Sequence, residues 1–226
     1  MLTEHDVLRT VEDLLLCFRH QYDDLLLKYS NRDLRLTFVA APGNVLRSYQ
    51  LFFAMVTSTI THESWWGQAF GRTTLDENDK GAIKNLDTMT RFAFFVFFLS
   101  HIEWSMKKLV THISPGTCKN GSAKFKAIYD HLLTKLNLSK YIQLYDLCRM
   151  VRNCIHSNGI FIPENGQDIV VSWQDVNYSF RKMWPIDFMT HEVILRLYRD
   201  LSDSIKEIIT HPMVEAPSFM EDNFKP

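Results

Sequence analysis

An apolar stripe at helical spacing runs through the middle of the chain: Phe92, Phe95, Val96, Leu99, Ile102, Met106, Leu109, Val110 and Ile113 recur in the i, i+3, i+4 rhythm. A strand cannot use that pattern, because its side chains alternate between two faces. The stripe predicts a helix from about residue 90 that stops before Pro115-Gly116 and lies at the centre of a bundle. Its most apolar part, residues 92–99, is bounded by Arg91, His101 and Glu103 and falls well short of the roughly 20 residues that span a bilayer. It is expected to be a buried helix, with no membrane partner.

The same rhythm in Val7, Leu8, Val11, Leu14, Leu15, Phe18, Tyr22, Leu25, Leu26 and Tyr29 predicts a long first helix, with Thr3 and Asp6 as its cap. Ala41-Pro42-Gly43-Asn44 interrupts the pattern, and residues 45–60 resume as a second helix, apolar around much of its girth and expected inside. Residues 67–84 turn to Gly, Thr, Asp, Asn and Lys, the composition of an exposed loop. Phe125, Ile128, Tyr129, Leu132, Leu133 and Leu136 mark a shorter helix, and residues 139–157 the next. Beyond Asn158-Gly159, residues 160–162 and 169–173 read as two strands about a Glu164-Asn165-Gly166 turn, with Tyr178 and Phe180 as candidates for a third. A last helix from about Phe188 carries Val193, Ile194, Leu197, Leu201, Ile205 and Ile208 and ends before Pro212. The expected fold class is mostly α, a helical bundle with a small β-hairpin inserted before the C-terminal helix, in one domain over residues 1–226.

An apolar fraction of 46%, with sixteen Phe, eight Tyr and five Trp, is enough to hold such a bundle together by burial alone. Cys17, Cys118, Cys148 and Cys154 form no Cys-x-x-Cys pair, which argues against a zinc ribbon or a thioredoxin-like site. Three of them fall in helical patterns and read as reduced core thiols of a cytoplasmic protein. The start, Met1-Leu-Thr-Glu-His-Asp6, lacks the basic region and apolar run of a secretion signal. With a net charge of −1, any attraction for a polyanion must be local; Lys107, Lys108, Lys119, Lys124 and Lys126 offer such a track.

Neither a dinucleotide fingerprint, a Walker loop nor a Gly-x-Ser-x-Gly elbow is present. His62-Glu63 meets Trp66 where a zinc protease needs its second His, and His101 and His112 have no ligand spacing, so no metal and no cofactor are expected. Ser64-Trp65-Trp66-Gly67 and Met183-Trp184-Pro185 read as core packing of loops, with base stacking or cover for a dimer interface as the alternative.

One segment carries chemistry. On a helical wheel at about 100° per residue, Leu144, Cys148, Val151 and Ile155 make an apolar face. Arg149, Arg152, Asn153 and His156 gather on an adjoining arc of about 100°. Guanidinium forks match phosphate oxygens and stabilise charge developing at phosphorus. An imidazole near neutrality can take the proton of a ribose 2′-hydroxyl or give one to a leaving oxygen. Glu103, on the apolar stripe, needs a cation: Arg149, Arg152 or, within its own helix, Lys107. Ordinary structure accounts for the same residues in another way, as a solvated helix face closed by an Asn158-Gly159 C-cap with His156 placed against the helix dipole.

The run Met150-Val151-Arg152-Asn153-Cys154-Ile155-His156-Ser157-Asn158-Gly159 resembles the signature of HEPN domains (higher eukaryotes and prokaryotes nucleotide-binding), an Arg, a polar residue and then a His at the end of a long helix. The order of helices agrees as well. Three residues separate Arg152 from His156, a closer spacing than is usual in the family, whereas six separate Arg149 from it, within the usual range. The resemblance implies a metal-independent endoribonuclease of toxin-antitoxin or defence type. His156 would be its proton-transfer group, with Arg152 or Arg149 on the scissile phosphate, Asn153 orienting and Glu103 supporting. It also implies RNA as substrate, a second copy of the chain completing a cleft in a homodimer, and an antitoxin or regulatory protein as partner. Some members of the family are non-catalytic modules that bind RNA, nucleotide or protein, which is the alternative. A third class is an assembly protein in which the arginines and Glu103 form a buried network.

Overall fold

The computed structural model describes residues 3–72, 74–117, 124–163 and 165–222; Cys118, Lys119 and Glu164, singled out above, lie outside them. Helix α1 (Glu4–Leu26) starts in a reciprocal capping box, Asp6 N donating to Thr3 Oγ1 at 3.2 Å and Thr3 N to Asp6 Oδ2 at 2.9 Å. Helix α2 (Leu34–Met55) begins well before residue 45, capped by Asp33, whose Oδ1 accepts from Arg35 N at 3.0 Å. The expected break at Ala41-Pro42-Gly43-Asn44 is not there. Pro42 removes one N–H donor, but it and Gly43 are buried, and α1 comes so near that a Cβ on Gly43 would touch Phe18 Cβ at 3.4 Å. Tertiary packing outweighs local propensity at this point.

A π turn (Val56–Ile60) and α3 (Glu63–Phe70) lead to α4 (Glu77–Ile113). The loop expected at 67–84 is therefore helical at both ends. Asp76 and Asp79 cap α4 reciprocally at 2.8 and 3.2 Å, but its first turns bury only Asp79, so no apolar rhythm marks them. Beyond them α4 does run through the core: Phe95, Phe98, Leu99, Ile102, Met106, Leu109 and Val110 are all buried. Helix α5 (Phe125–Lys135) and a 3-10 turn (Ser139–Tyr141) precede α6 (Ile142–His156).

The hairpin lies before the long C-terminal helix, as expected, but in another register. Strand β1 (Ile169–Trp173) pairs antiparallel with β2 (Val176–Phe180), Ile169 opposite Phe180, around Gln174 and Asp175, whose φ values of 47° and 61° supply the turn. Tyr178 and Phe180 thus belong to the second strand. Residues 160–162 pair instead with 183–185, Phe161 N donating to Trp184 O at 3.0 Å and Met183 N to Phe161 O at 2.8 Å. Asn165-Gly166 forms a separate turn. Helix α7 (His191–Ile209) and the short α8 (Pro212–Glu215) complete the fold.

One cluster of buried residues extends from Val7 to Met220. Cys148 and Cys154 are in it, and burial pushes both thiols up, Cys154 to about 11; Cys17 is exposed, contrary to expectation. Leu51 and Met55 are exposed too, so the end of α2 is interior only on the face of Tyr49 and Phe53 and not all round. Nor do the tryptophan clusters fill the core. Trp65 and Trp66 are half-buried and pack on each other and on exposed Phe70, while Met183 and Trp184 are exposed. No helix among the described residues is long and apolar enough to cross a membrane.

Candidate functional site

Helix α6 buries Leu144, Tyr145, Leu147, Cys148, Met150, Val151 and Cys154, and this one-sided burial turns Arg149, Arg152, Asn153 and His156 outward. Its end is fixed from both sides. Gly159 N donates to Cys154 O at 2.8 Å, closing the helix as a C-cap with Asn158 at φ 55° and Gly159 at φ 79°. Gly159 then lies against α4, where a Cβ would meet Phe92 Cε2 at 3.3 Å.

The two arginines turn to different neighbours. Arg152 reaches α4, where its Nη1 donates to Glu103 Oε2; the side chains are 24% and 26% exposed, and Arg152 Nε is buried without a partner among the described residues. Glu103 therefore has its cation, and it is Arg152. Arg149 leans toward α5, Nε donating to the Tyr129 hydroxyl at 3.2 Å and Nη2 to Asp146 Oδ1 at 3.4 Å. The Tyr129 hydroxyl itself donates to Asp146 Oδ1 at 2.6 Å, and Lys126 Nζ lies 3.1 Å from the same oxygen. Burial pushes the Asp146 carboxyl up, but those two bonds and the charges of Lys126 and Arg149 outweigh it and hold the group below its ordinary range.

His156 and Asn153 are exposed, and neither makes a side-chain hydrogen bond or ion pair with another described residue. On the wheel His156 falls between Arg152 and Asn153. Arg149, Asn153 and Ser157, spaced by four, line one wall of a cleft of about 360 Å³ whose other wall includes Phe161, Ile162 and Asn165. The patch expected as one surface is thus divided: Arg152 is anchored on the α4 side, Arg149 on the α5 and cleft side, and His156 stands free between them.

Tyr129, Asp146 and the loop wall were not foreseen as parts of the site. Asp146 carries a signal, its i, i+3 spacing to Arg149, whereas Tyr129 falls on the apolar face of α5 and only the packing of α5 on α6 brings its hydroxyl here. Lysine offers less than expected for RNA: Lys126 is neutralised by Asp130 and Asp146, and Lys108 lies over the Trp104 ring. Among the described residues no three His, Cys, Asp or Glu side chains gather as a metal site requires.

A second polar cluster joins three helices away from this end. The Tyr49 hydroxyl and His191 Nδ1 share a hydrogen bond at 2.5 Å, His191 Nε2 lies 2.9 Å from Asp87 Oδ1, and Arg91 Nε lies 2.9 Å from Asp87 Oδ2. Tyr49 is only 1% exposed, so the chain of bonds reaches no substrate through it. These bonds tie α2, α4 and the start of α7 together. Compared with protein-family models, with curated proteins and with solved structures, the chain matches none.

Proposed function

We propose that this chain is a metal-independent endoribonuclease of HEPN type, acting in the cytoplasm as a homodimer, with the outer end of α6 as its active site. The observation that carries the reading is the pairing of opposites at that end: His156 is exposed and unengaged, while Arg152, four residues away, is held by a carboxylate of another helix. A proton-transfer group must be free to meet a substrate, and a charge-stabilising group must be held still.

In the reaction His156 takes the proton of a ribose 2′-hydroxyl as that oxygen bonds to phosphorus. The bond from phosphorus to the 5′-oxygen breaks, and the leaving oxygen receives a proton from the His156 of the second copy. The products are a 2′,3′-cyclic phosphate and a 5′-hydroxyl. Arg152 stabilises the charge on the non-bridging oxygens, and Asn153 orients the imidazole or the phosphate. An enzyme of this kind, acting as a toxin or defence effector, is held in check by an antitoxin or regulatory protein.

The test is RNA cleavage by wild type and His156→Ala in excess chelator, with the product ends identified and folding followed by circular dichroism. Cyclic-phosphate ends made by the wild type and absent from a folded His156→Ala are expected; cleavage that needs an added metal overturns the proposal. A non-catalytic RNA-, nucleotide- or protein-binding module is the second reading, favoured by the acidic partner that each arginine already has, Glu103 for Arg152 and Asp146 for Arg149. Under it the wild type leaves RNA intact and His156→Ala weakens binding.

A further inference from the structure

The cleft beside α6 holds more recognition chemistry than phosphodiester cleavage requires. We propose that it is a nucleoside-binding subsite, in which Asn165, ahead of β1, selects the base and Arg149 receives the adjoining phosphate. The inference rests on reading the end of α6 as an RNA site, and it adds the specificity of that site.

Position is the first argument. Asn153 belongs both to the His156 arc and to the cleft wall, so a nucleoside in the cleft places its phosphate along α6. Size is the second: about 360 Å³ lies within the roughly 300–1,000 Å³ of small-ligand sites. The third is the lining, in which exposed Ile162, set over the buried Phe161 and Met150, offers apolar surface to the face of a base and the Asn165 amide offers a hydrogen bond to its edge.

Arg149 is suited to a phosphate by the way it is held. Its Nε and Nη2 are fixed by Tyr129 and Asp146, while its Nη1 has no partner among the described residues. A guanidinium braced on one edge and open on another loses little freedom on binding an anion.

Asn165 sets the selectivity. Its Oδ1 accepts from Gln167 N at 3.2 Å, which fixes the side chain and leaves the amide NH2 as the group to offer. A donor there favours a base that presents a carbonyl, such as uracil, over adenine, which has none. In Asn165→Asp the bond from Gln167 N is kept, but the donor becomes an acceptor.

The experiment is calorimetric titration of the protein with uridine 3′-monophosphate and with adenosine 3′-monophosphate. The uridine nucleotide is expected to bind roughly 5-fold tighter, the worth of one net hydrogen bond. Asn165→Asp, at an exposed turn where folding is retained, reverses that order, and Arg149→Ala weakens both nucleotides alike. Failure of both nucleotides to bind, or a preference that Asn165→Asp leaves unchanged, overturns the proposal even if RNA is cleaved. Selective binding without any cleavage keeps the subsite and removes the nuclease reading instead.

Discussion

Glu103 and Arg152, 49 residues apart in the chain, form an ion pair that joins the C-terminal half of α4 to the end of α6. Both side chains are about a quarter exposed, so solvent screens the pair in part, but Arg152 Nε is already buried and unpartnered. Removing the carboxylate leaves a half-buried guanidinium with less compensation. Glu103→Ala is expected to lower stability by about 1–3 kcal/mol, measured by urea unfolding, and Glu103→Gln, which keeps an acceptor, by less. Equal, negligible losses in both variants would mean that the contact is solvent-exchanged and positions nothing.

Asp87 links the Tyr49–His191 pair to Arg91, and its titration sets an acid limit. Burial pushes its carboxyl up, but the hydrogen bond and charge of His191, with those of Arg91, prevail and bring it below the ordinary 3.8. A carboxyl lowered by folding stabilises the native state above its unfolded value, and that contribution is lost as pH falls through the folded value. Wild type is therefore expected to be more stable than Asp87→Asn at neutral pH, with the two denaturation midpoints converging below pH 3.8. Curves that stay parallel from neutral pH into acid would show that Asp87 has no such role.

Two glycines should respond to alanine in opposite directions. Gly159 holds φ at 79°, and a Cβ there meets the Phe92 ring at 3.3 Å, whereas Gly81 is inside α4 with open space around it. Gly159→Ala is expected to cost about 1–2 kcal/mol from the left-handed backbone alone, a fall in Tm of roughly 2–8 °C. Gly81→Ala is expected to gain about 0.5–1 kcal/mol by restricting the unfolded chain. Thermal scans of the pair check both signs, and a fall in Tm for Gly81→Ala would contradict the open helical position assigned to it.

The contrast between these sites shows what was legible in the sequence. The apolar rhythms of α1, α4, α5, α6 and α7 reported buried faces, so the bundle could be read, as could the Asn158-Gly159 close of α6. Where a helix buries little, as at the start of α4, no rhythm exists, and only the Asp76/Asp79 capping pair marks its beginning. Pro42-Gly43 looked like a break because local propensity carries no information about Phe18 packing against it. In the hairpin, Asn165-Gly166 was the stronger turn signal, but the strands meet at Gln174-Asp175, where residues 169–173 and 176–180 can pair face to face. Glu103's need for a cation could be read from its place on an apolar stripe. Which arginine would answer could not, because Arg149 and Arg152 share one arc of α6 and diverge only through what packs on either side, Glu103 from α4 and Tyr129 from α5.

That divergence predicts different failures for the two arginines. Lysine keeps the charge at either position but lacks the planar fork. Under the proposed nuclease reading, in which Arg152 stabilises the scissile phosphate, a single ammonium at position 152 cannot both hold Glu103 and contact that phosphate as it passes to the transition state. Arg152→Lys is therefore expected to lower kcat by roughly 10²–10³, the usual effect of losing one transition-state donor, with KM little changed. Arg149 lines the cleft and holds Tyr129 and Asp146, so Arg149→Lys is expected to raise KM by roughly 10-fold, as for a lost charge-assisted ground-state contact, and to leave kcat near its wild-type value. Steady-state cleavage of a short RNA resolves the two parameters. The reverse pattern, kcat falling for Arg149→Lys and KM rising for Arg152→Lys, would give the phosphate-stabilising role to the arginine separated from His156 by six residues and leave Arg152 as a structural partner of Glu103.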